Sequence, residues 1–461
     1  MDLDKKIQHL YARAGFGLTP KQFNQKLGST LNDELKLLFG NARKESQKLL
    51  KQDALFTKMT SKKYSSLQKK ERRKLIQKTG KFKVQLVRLD WFERMTDINM
   101  ALTERMSFFW HSHFACYLGK PHFAISQLNI YRKYGLGSFR DLLNAVAKDV
   151  GMIFYLNNQQ NKKTKPNENF ARELLELFTL GTGNYSENDI KNATKAFTGW
   201  AGDFSGKFIF EEENHDFGPK NFMGKRGKFS GEDIIDLILE NPKCAEFITR
   251  KVYRFFVNDE VNEEHVSILS KEFYDSDYNI TRLMNKLFRS PWFYDEANLS
   301  TKIKSPIELL VDLSHCLDVE FDDNAILFFM KRLNQILFAP PNVAGWPSGK
   351  EWISNSSLIS RLNLSRDIIL KIDMNFDGED GNDELPLEGA GTFEWSMDEI
   401  TDYLNGCKKE EIVKLLSDYL RLNLSRELLY KVEAEIVEKS RDAYIRESLL
   451  KLTSLPEYQM C

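Results

Sequence analysis

At 461 residues, with 42% apolar content and 33 phenylalanines, the chain can bury a sizeable core in one large domain or two ordinary ones. Lysine and arginine number 66 against 66 acids, so no global field recruits nucleic acid or a membrane surface. Cys116, Cys244, Cys316, Cys407 and Cys461 are scattered without a CxxC, which suits free thiols and argues against a disulfide framework or a thiolate zinc site.

The opening MDLDKKIQHLYARAGFG carries no apolar signal region, and no window approaches a membrane span, so the cytoplasm is the expected location. It reads as an amphipathic helix closed by a turn at Gly15–Pro20. Arg13, between small residues, is an anion contact or, preferably, a buried ion-pair partner. Two helical segments follow. From 58 to 83 runs a basic insertion with few rings for base stacking, read as a solvated face and not as a nucleic-acid site.

Residues 84–118 read as helices ending in ERMSFFWHSHF. His111 and His113 resemble a chelating pair, but helical spacing sets them about 200° apart. Each is therefore a core histidine or a lone ligand. Ser138 caps the next helix, and the amide-rich loop from Asn157 leads into PNENFARELLELFTLG, the stretch the chain seems arranged around. Pro166 and Asn167 are expected to start that helix and Gly181 to stop it. Phe170, Leu174, Leu177 and Phe178 fall on one face. Asn169, Glu173, Glu176 and Leu180 fall on another, with Arg172 spaced i,i+4 to Glu176. Half-buried carboxylates need a cation, either arginine or a metal ion.

Ser186 and Asp189 open another helix, which Gly199 ends, and alternation predicts a short β-hairpin near 205–213. The glycine-rich loop NHDFGPKNFMG then places His215, Asp216 and Lys220 where catalytic groups tend to sit. Helix after helix follows to about 314. Pro340, Pro341, Gly345 and Pro347 make a rigid loop whose Trp346 can wall a pocket, and Ser354–Ser357 cap the next helix. Asp373, Asn375, Asp377 and Glu384 match a calcium-loop pattern. Without an exiting helix, and with Asp380 where an apolar residue belongs, the stretch reads as an acidic linker over 371–393. Helices resume over 394–461.

The pieces HLYARAGFG, FFWHSHF, YLNNQQNKK, PNENFARELLELFTLG, AFTGW, HDFGPKNFMG, PPNVAGWPSGKEWISNSSLISRLN and LPEYQ occur in order over nearly the whole chain. Together they resemble the family called domain of unknown function 1800. The resemblance implies no established activity. It implies Asp where this chain has Asn157, and a sulfatase-like neighbour protein as a partner, so that the chain is cytoplasmic or leaves the cytoplasm already folded beside that partner.

The fold expected is therefore mostly α: one large multi-helix body over 1–370, the acidic linker, and a C-terminal helical segment packed on the body. Two functions follow. One is a metal-dependent enzyme, with His111, His113, Glu173, Glu176 and His215 as ligands to iron, manganese or zinc. In it Glu173, Glu176, His215, Asp216 and Lys220 would do the chemistry, with Asn157, Asn169, Arg172, Trp200 and Trp346 walling the pocket. The other is a non-catalytic helical partner or scaffold for the sulfatase-like protein.

Overall fold

A computed structural model describes residues 3–50, 83–370, 392–438 and 440–461. The basic insertion up to residue 82 and the linker up to 391, with Asp373, Asn375, Asp377 and Glu384, lie outside the described residues.

Helices dominate. The first half carries α1 (Leu3–Ala14), α2 (Pro20–Lys26), α3 (Leu31–Glu45), α4 (Lys83–Met95), α5 (Ala101–His113), α6 (Pro121–Tyr134), α7 (Phe139–Ala147), α8 (Val150–Tyr155), α9 (Asn169–Glu173) and α10 (Glu187–Ala196). Two antiparallel hairpins follow, β1 (Trp200–Gly202) with β2 (Phe208–Phe210), then β3 (Lys220–Phe222) with β4 (Lys225–Gly227). Next come α11 (Gly231–Leu239), α12 (Pro242–Phe256), α13 (Glu263–Asp275), α14 (Ile280–Arg289) and α15 (Pro306–Cys316). β5 (Val319–Phe321) pairs antiparallel with the distant β6 (Phe393–Trp395), and α16 (Asp323–Arg332) and α17 (Asn355–Ile369) lie between them in sequence. The chain closes with α18 (Asp398–Tyr403), α19 (Ile412–Tyr419), α20 (Arg426–Ala434) and α21 (Arg441–Thr453). No helix among the described residues is long and apolar enough to cross a membrane.

Local signals set many of these boundaries. Ser186 with Asp189, Ser230 with Asp233, and Ser305 with Glu308 form reciprocal capping boxes that satisfy the first orphan N–H groups of α10, α11 and α15. The β1–β2 turn falls at 203–207, with Trp200 facing Phe210 in register.

The helix enclosed most completely is α5. All its residues but Ser112 are buried, which a helix apolar around most of its circumference requires. Its charged residues survive there by pairing: Glu104 with Arg132, and Arg105 with Glu308. One buried apolar cluster runs from Ile7 through α5 to Tyr458, and α21 packs on α17 and α19.

Candidate functional site

The stretch expected to centre the site is built differently from a plain helix. Helical geometry starts at Asn169, two residues after the expected cap, although Asn167 Oδ1 does accept the Asn169 N–H at 3.1 Å. From Leu174 to Thr179 the helix widens into a π turn, in which Leu180 N–H bonds the Leu175 carbonyl, five residues back, at 2.9 Å. Phe170, Leu174 and Phe178 are buried as the expected stripe requires, but the wider turn leaves Leu177 half-buried and buries Leu175 and Leu180. Lys251 and His113 satisfy the carbonyls left at its end. Lys251 Nζ donates to Leu177 O at 3.0 Å, and His113 Nε2–H to Phe178 O at 3.1 Å. Burial, with Arg254 nearby, lowers Lys251 to about 8.

Arg172 does not pair with Glu176. It grips Glu187 with two bonds of 3.0 Å and touches Glu168 at 3.3 Å. Glu173 and Glu176 are half-buried, and neither has an ion-pair partner among the described residues. Glu176 instead accepts the Tyr185 hydroxyl at 2.9 Å. Burial and the neighbouring Glu176 raise the Glu173 carboxyl above its ordinary value, with Arg172 pulling the other way.

The two α5 histidines point to different walls, as their spacing requires. His111 sits among Trp91, Phe338 and Trp346, and its Nε2 accepts the Phe338 N–H at 3.1 Å. Burial, with Arg88 nearby, drives its imidazole down to about 3, so it stays neutral. His113 packs on Phe109 and Phe178, and burial lowers it well below the ordinary range. One nitrogen of each ring is spent on backbone, and the other is enclosed without a partner among the described residues. No group of three or more His, Cys, Asp or Glu among the described residues is placed to hold a metal ion, so the five expected ligands do not form a set.

The amide loop works as structure. Asn158 Nδ2 donates to Phe197 O and Trp200 O, and Asn161 Nδ2 to Thr194 O. Asn157 is exposed and left-handed, at φ 58°, a conformation Asn and Asp tolerate best among non-glycine residues. Asn169 is exposed and donates to Leu156 O.

What the chain does bring together is Trp200, His215 and Lys220, in a cavity of about 510 Å³ beside β1–β2. Phe208, Phe210, Phe217 and Phe229 line it, with Lys228 and Glu232. The end of α10 positions His215: its Nδ1–H donates to Thr198 O at 2.7 Å, and Thr198 Oγ accepts the Asp216 N–H at 2.8 Å. This fixes the tautomer and leaves Nε2 with its lone pair and no hydrogen-bond partner among the described residues. Phe210 and Phe217 flank the ring edge-on at 5.2 and 4.7 Å.

Lys220 is buried, and its Nζ ties the loop by donating to Asp216 O at 2.6 Å and Gly218 O at 3.2 Å. Burial lowers its ammonium, Lys195 adds to this, and Asp216 and Asp233 oppose it. The residues missed by sequence reasoning stood in plain sight: Thr198 in AFTGW, Phe208 and Phe210 in KFIFE, Phe217 in HDFGPKNF and Phe229 in GKFSG. Their signal was aromatic density around a single histidine.

No curated protein and no solved structure matches the chain. The family model described as "Protein of unknown function (DUF1800)" matches residues 9–460, nearly the whole length, and the chain belongs to that family.

Proposed function

We propose that the chain is a non-catalytic helical partner protein that docks through the β1–β2 face. The observation that carries this is a set of apolar side chains left in water on and beside one hairpin. Phe204 is 77% and Phe217 55% exposed, with Phe210 and Ile209 exposed next to them. Clustered apolar exposure of this kind marks protein-binding surfaces. The interior groups that resembled a metal site support the same reading, because they lock helices together. The occupant we favour is the sulfatase-like protein implied by the family resemblance. The free cysteines, three of them buried, fit a cytoplasmic chain or one carried out folded beside that partner.

Co-expression with that protein, followed by size-exclusion chromatography with light scattering, tests the reading. A complex that Phe217→Asp abolishes is expected. Two separate peaks, together with stoichiometric iron, manganese or zinc in the purified chain, would sink it. The metal-dependent enzyme would then take first place, with the free Nε2 of His215 as the group favouring it and His215→Ala metal content as its next test.

A further inference from the structure

The cavity of about 510 Å³ beside β1–β2 has the size of a small-molecule site. Three pieces of chain wall it: the hairpin, the loop carrying His215 and Phe217, and the stretch 228–232 that opens α11. The walls are closely built. Trp200 stands edge-on to Phe208 at 5.4 Å, and a Cβ on Gly231 would come within 2.5 Å of Trp200 Cζ2, so only glycine lets α11 start against that ring.

Most polar groups on these walls are already engaged. Lys220 spends two N–H groups on Asp216 O and Gly218 O. Ser230 caps α11, and Glu232 pairs with Lys148 at 2.6 Å. Two groups remain. His215, 5% exposed, carries on Nε2 a lone pair that no described residue meets, and that nitrogen, unlike Nδ1 of His111 or of His113, is not sealed off. Phe210 and Phe217, which flank the ring, are cavity walls too, so the opening is on the cavity side. The other group is the exposed Lys228 ammonium, which has no ion-pair partner among the described residues.

A molecule that complements these walls is flat and apolar over most of its body. It donates one hydrogen bond to His215 Nε2 and carries negative charge toward Lys228. A quaternary ammonium, the familiar guest of an aromatic cage, has the wrong sign. The Lys148 ammonium already lies 5.4 Å from the centre of the Trp200 ring and 5.8 Å from that of Phe208.

We propose that this cavity binds an aromatic carboxylate bearing a ring hydroxyl. The ring lies among the phenylalanines, the O–H donates to His215 Nε2, and the carboxylate meets Lys228. The proposal does not rest on the partner reading, although Phe210 and Phe217 serve both, because it concerns the isolated chain.

Calorimetry of the full chain with 4-hydroxyphenylacetate tests it. Two comparisons run beside it: phenylacetate, which lacks the hydroxyl, and tyramine, which keeps the hydroxyl and reverses the charge. Saturable binding of 4-hydroxyphenylacetate is expected, about tenfold tighter than phenylacetate, which leaves the buried nitrogen unmet. Tyramine should bind at least about fivefold more weakly, and Lys228→Glu should weaken 4-hydroxyphenylacetate about fivefold. His215→Phe should make 4-hydroxyphenylacetate bind like phenylacetate. If circular dichroism shows that variant unfolded, Lys228→Glu and the three ligands carry the test. No saturable 4-hydroxyphenylacetate binding, equal affinity for phenylacetate or tyramine, unchanged affinity in Lys228→Glu, or a hydroxyl preference that survives in a folded His215→Phe would each overturn it. Failure to form a complex with the sulfatase-like protein would leave all of these outcomes unaffected.

Discussion

Arg132 holds Glu104 through two parallel bonds, Nε to Oε1 at 2.8 Å and Nη2 to Oε2 at 3.0 Å, with both side chains 1% exposed. Trp91 Nε1–H adds a third bond to the carboxylate at 2.8 Å. The pair ties α6, α5 and α4 together. Glu104→Ala leaves a buried guanidinium uncompensated and should cost about 3–5 kcal/mol. Urea unfolding measures it. Replacing both partners, Glu104→Leu with Arg132→Met, should cost clearly less than the single change.

Asp149 makes stability depend on pH in the sense opposite to a salt-bridged acid. Burial raises its carboxyl from 3.8 to about 6, against bonds from Met152 N–H and the Ser126 hydroxyl that lower it. A raised carboxyl stabilises the fold most below the unfolded value. That stability is lost as pH climbs from about 4 to 6, by at most roughly 3 kcal/mol. Asp149→Asn keeps an oxygen for Met152 N–H and should flatten the dependence. Unfolding midpoints of both chains at pH 4 and pH 7 check this.

Gly199 has φ +77°, and a Cβ there would stand 2.5 Å from the Glu211 carbonyl oxygen. Its carbonyl also accepts the Glu211 N–H that closes the hairpin, at 2.8 Å. Gly199→Ala should cost more than the roughly 1–2 kcal/mol of the left-handed conformation alone. Thermal unfolding reports the loss, and binding of the partner protein should fall with it.

The acidic stretch with Asp373, Asn375, Asp377 and Glu384 is expected to give no tight calcium binding. Calorimetric titration with calcium decides: a stoichiometric site abolished by Glu384→Gln would reverse the expectation.

Helix ends and the first hairpin were legible because each rests on a few adjacent residues. Ser186 with Asp189 and the turn around Ser205–Gly206 act where the sequence places them. The opposed directions of His111 and His113 followed from helical geometry alone. The face of Leu174–Thr179 followed only in part, with Leu177 displaced, because a π turn breaks the 100° period on which the stripe was drawn. The pairing of Val319–Phe321 with Phe393–Trp395 was equally hidden, since contacts so far apart in sequence leave no local trace. In the candidate site, His111 and His113 were turned to separate walls. His215 and Lys220, a few residues apart in one loop, share a cavity with Trp200.

The placement of α1 sets a clock on synthesis. Gln8 bonds the Tyr419 carbonyl, Lys5 pairs with Asp418, and Arg13 reaches Asn298 and Cys461. At about 5–20 residues per second, the ribosome needs roughly tens of seconds to make those partners after it has made α1. Through that interval α1 has only its early neighbours α2, α3 and α5, with Tyr11 bonded to Glu34, and a 12-residue helix is marginal by itself. The side of α1 that meets Asp418 and Tyr419 thus stays open until those residues emerge, and synthesis halted before them leaves that side uncovered.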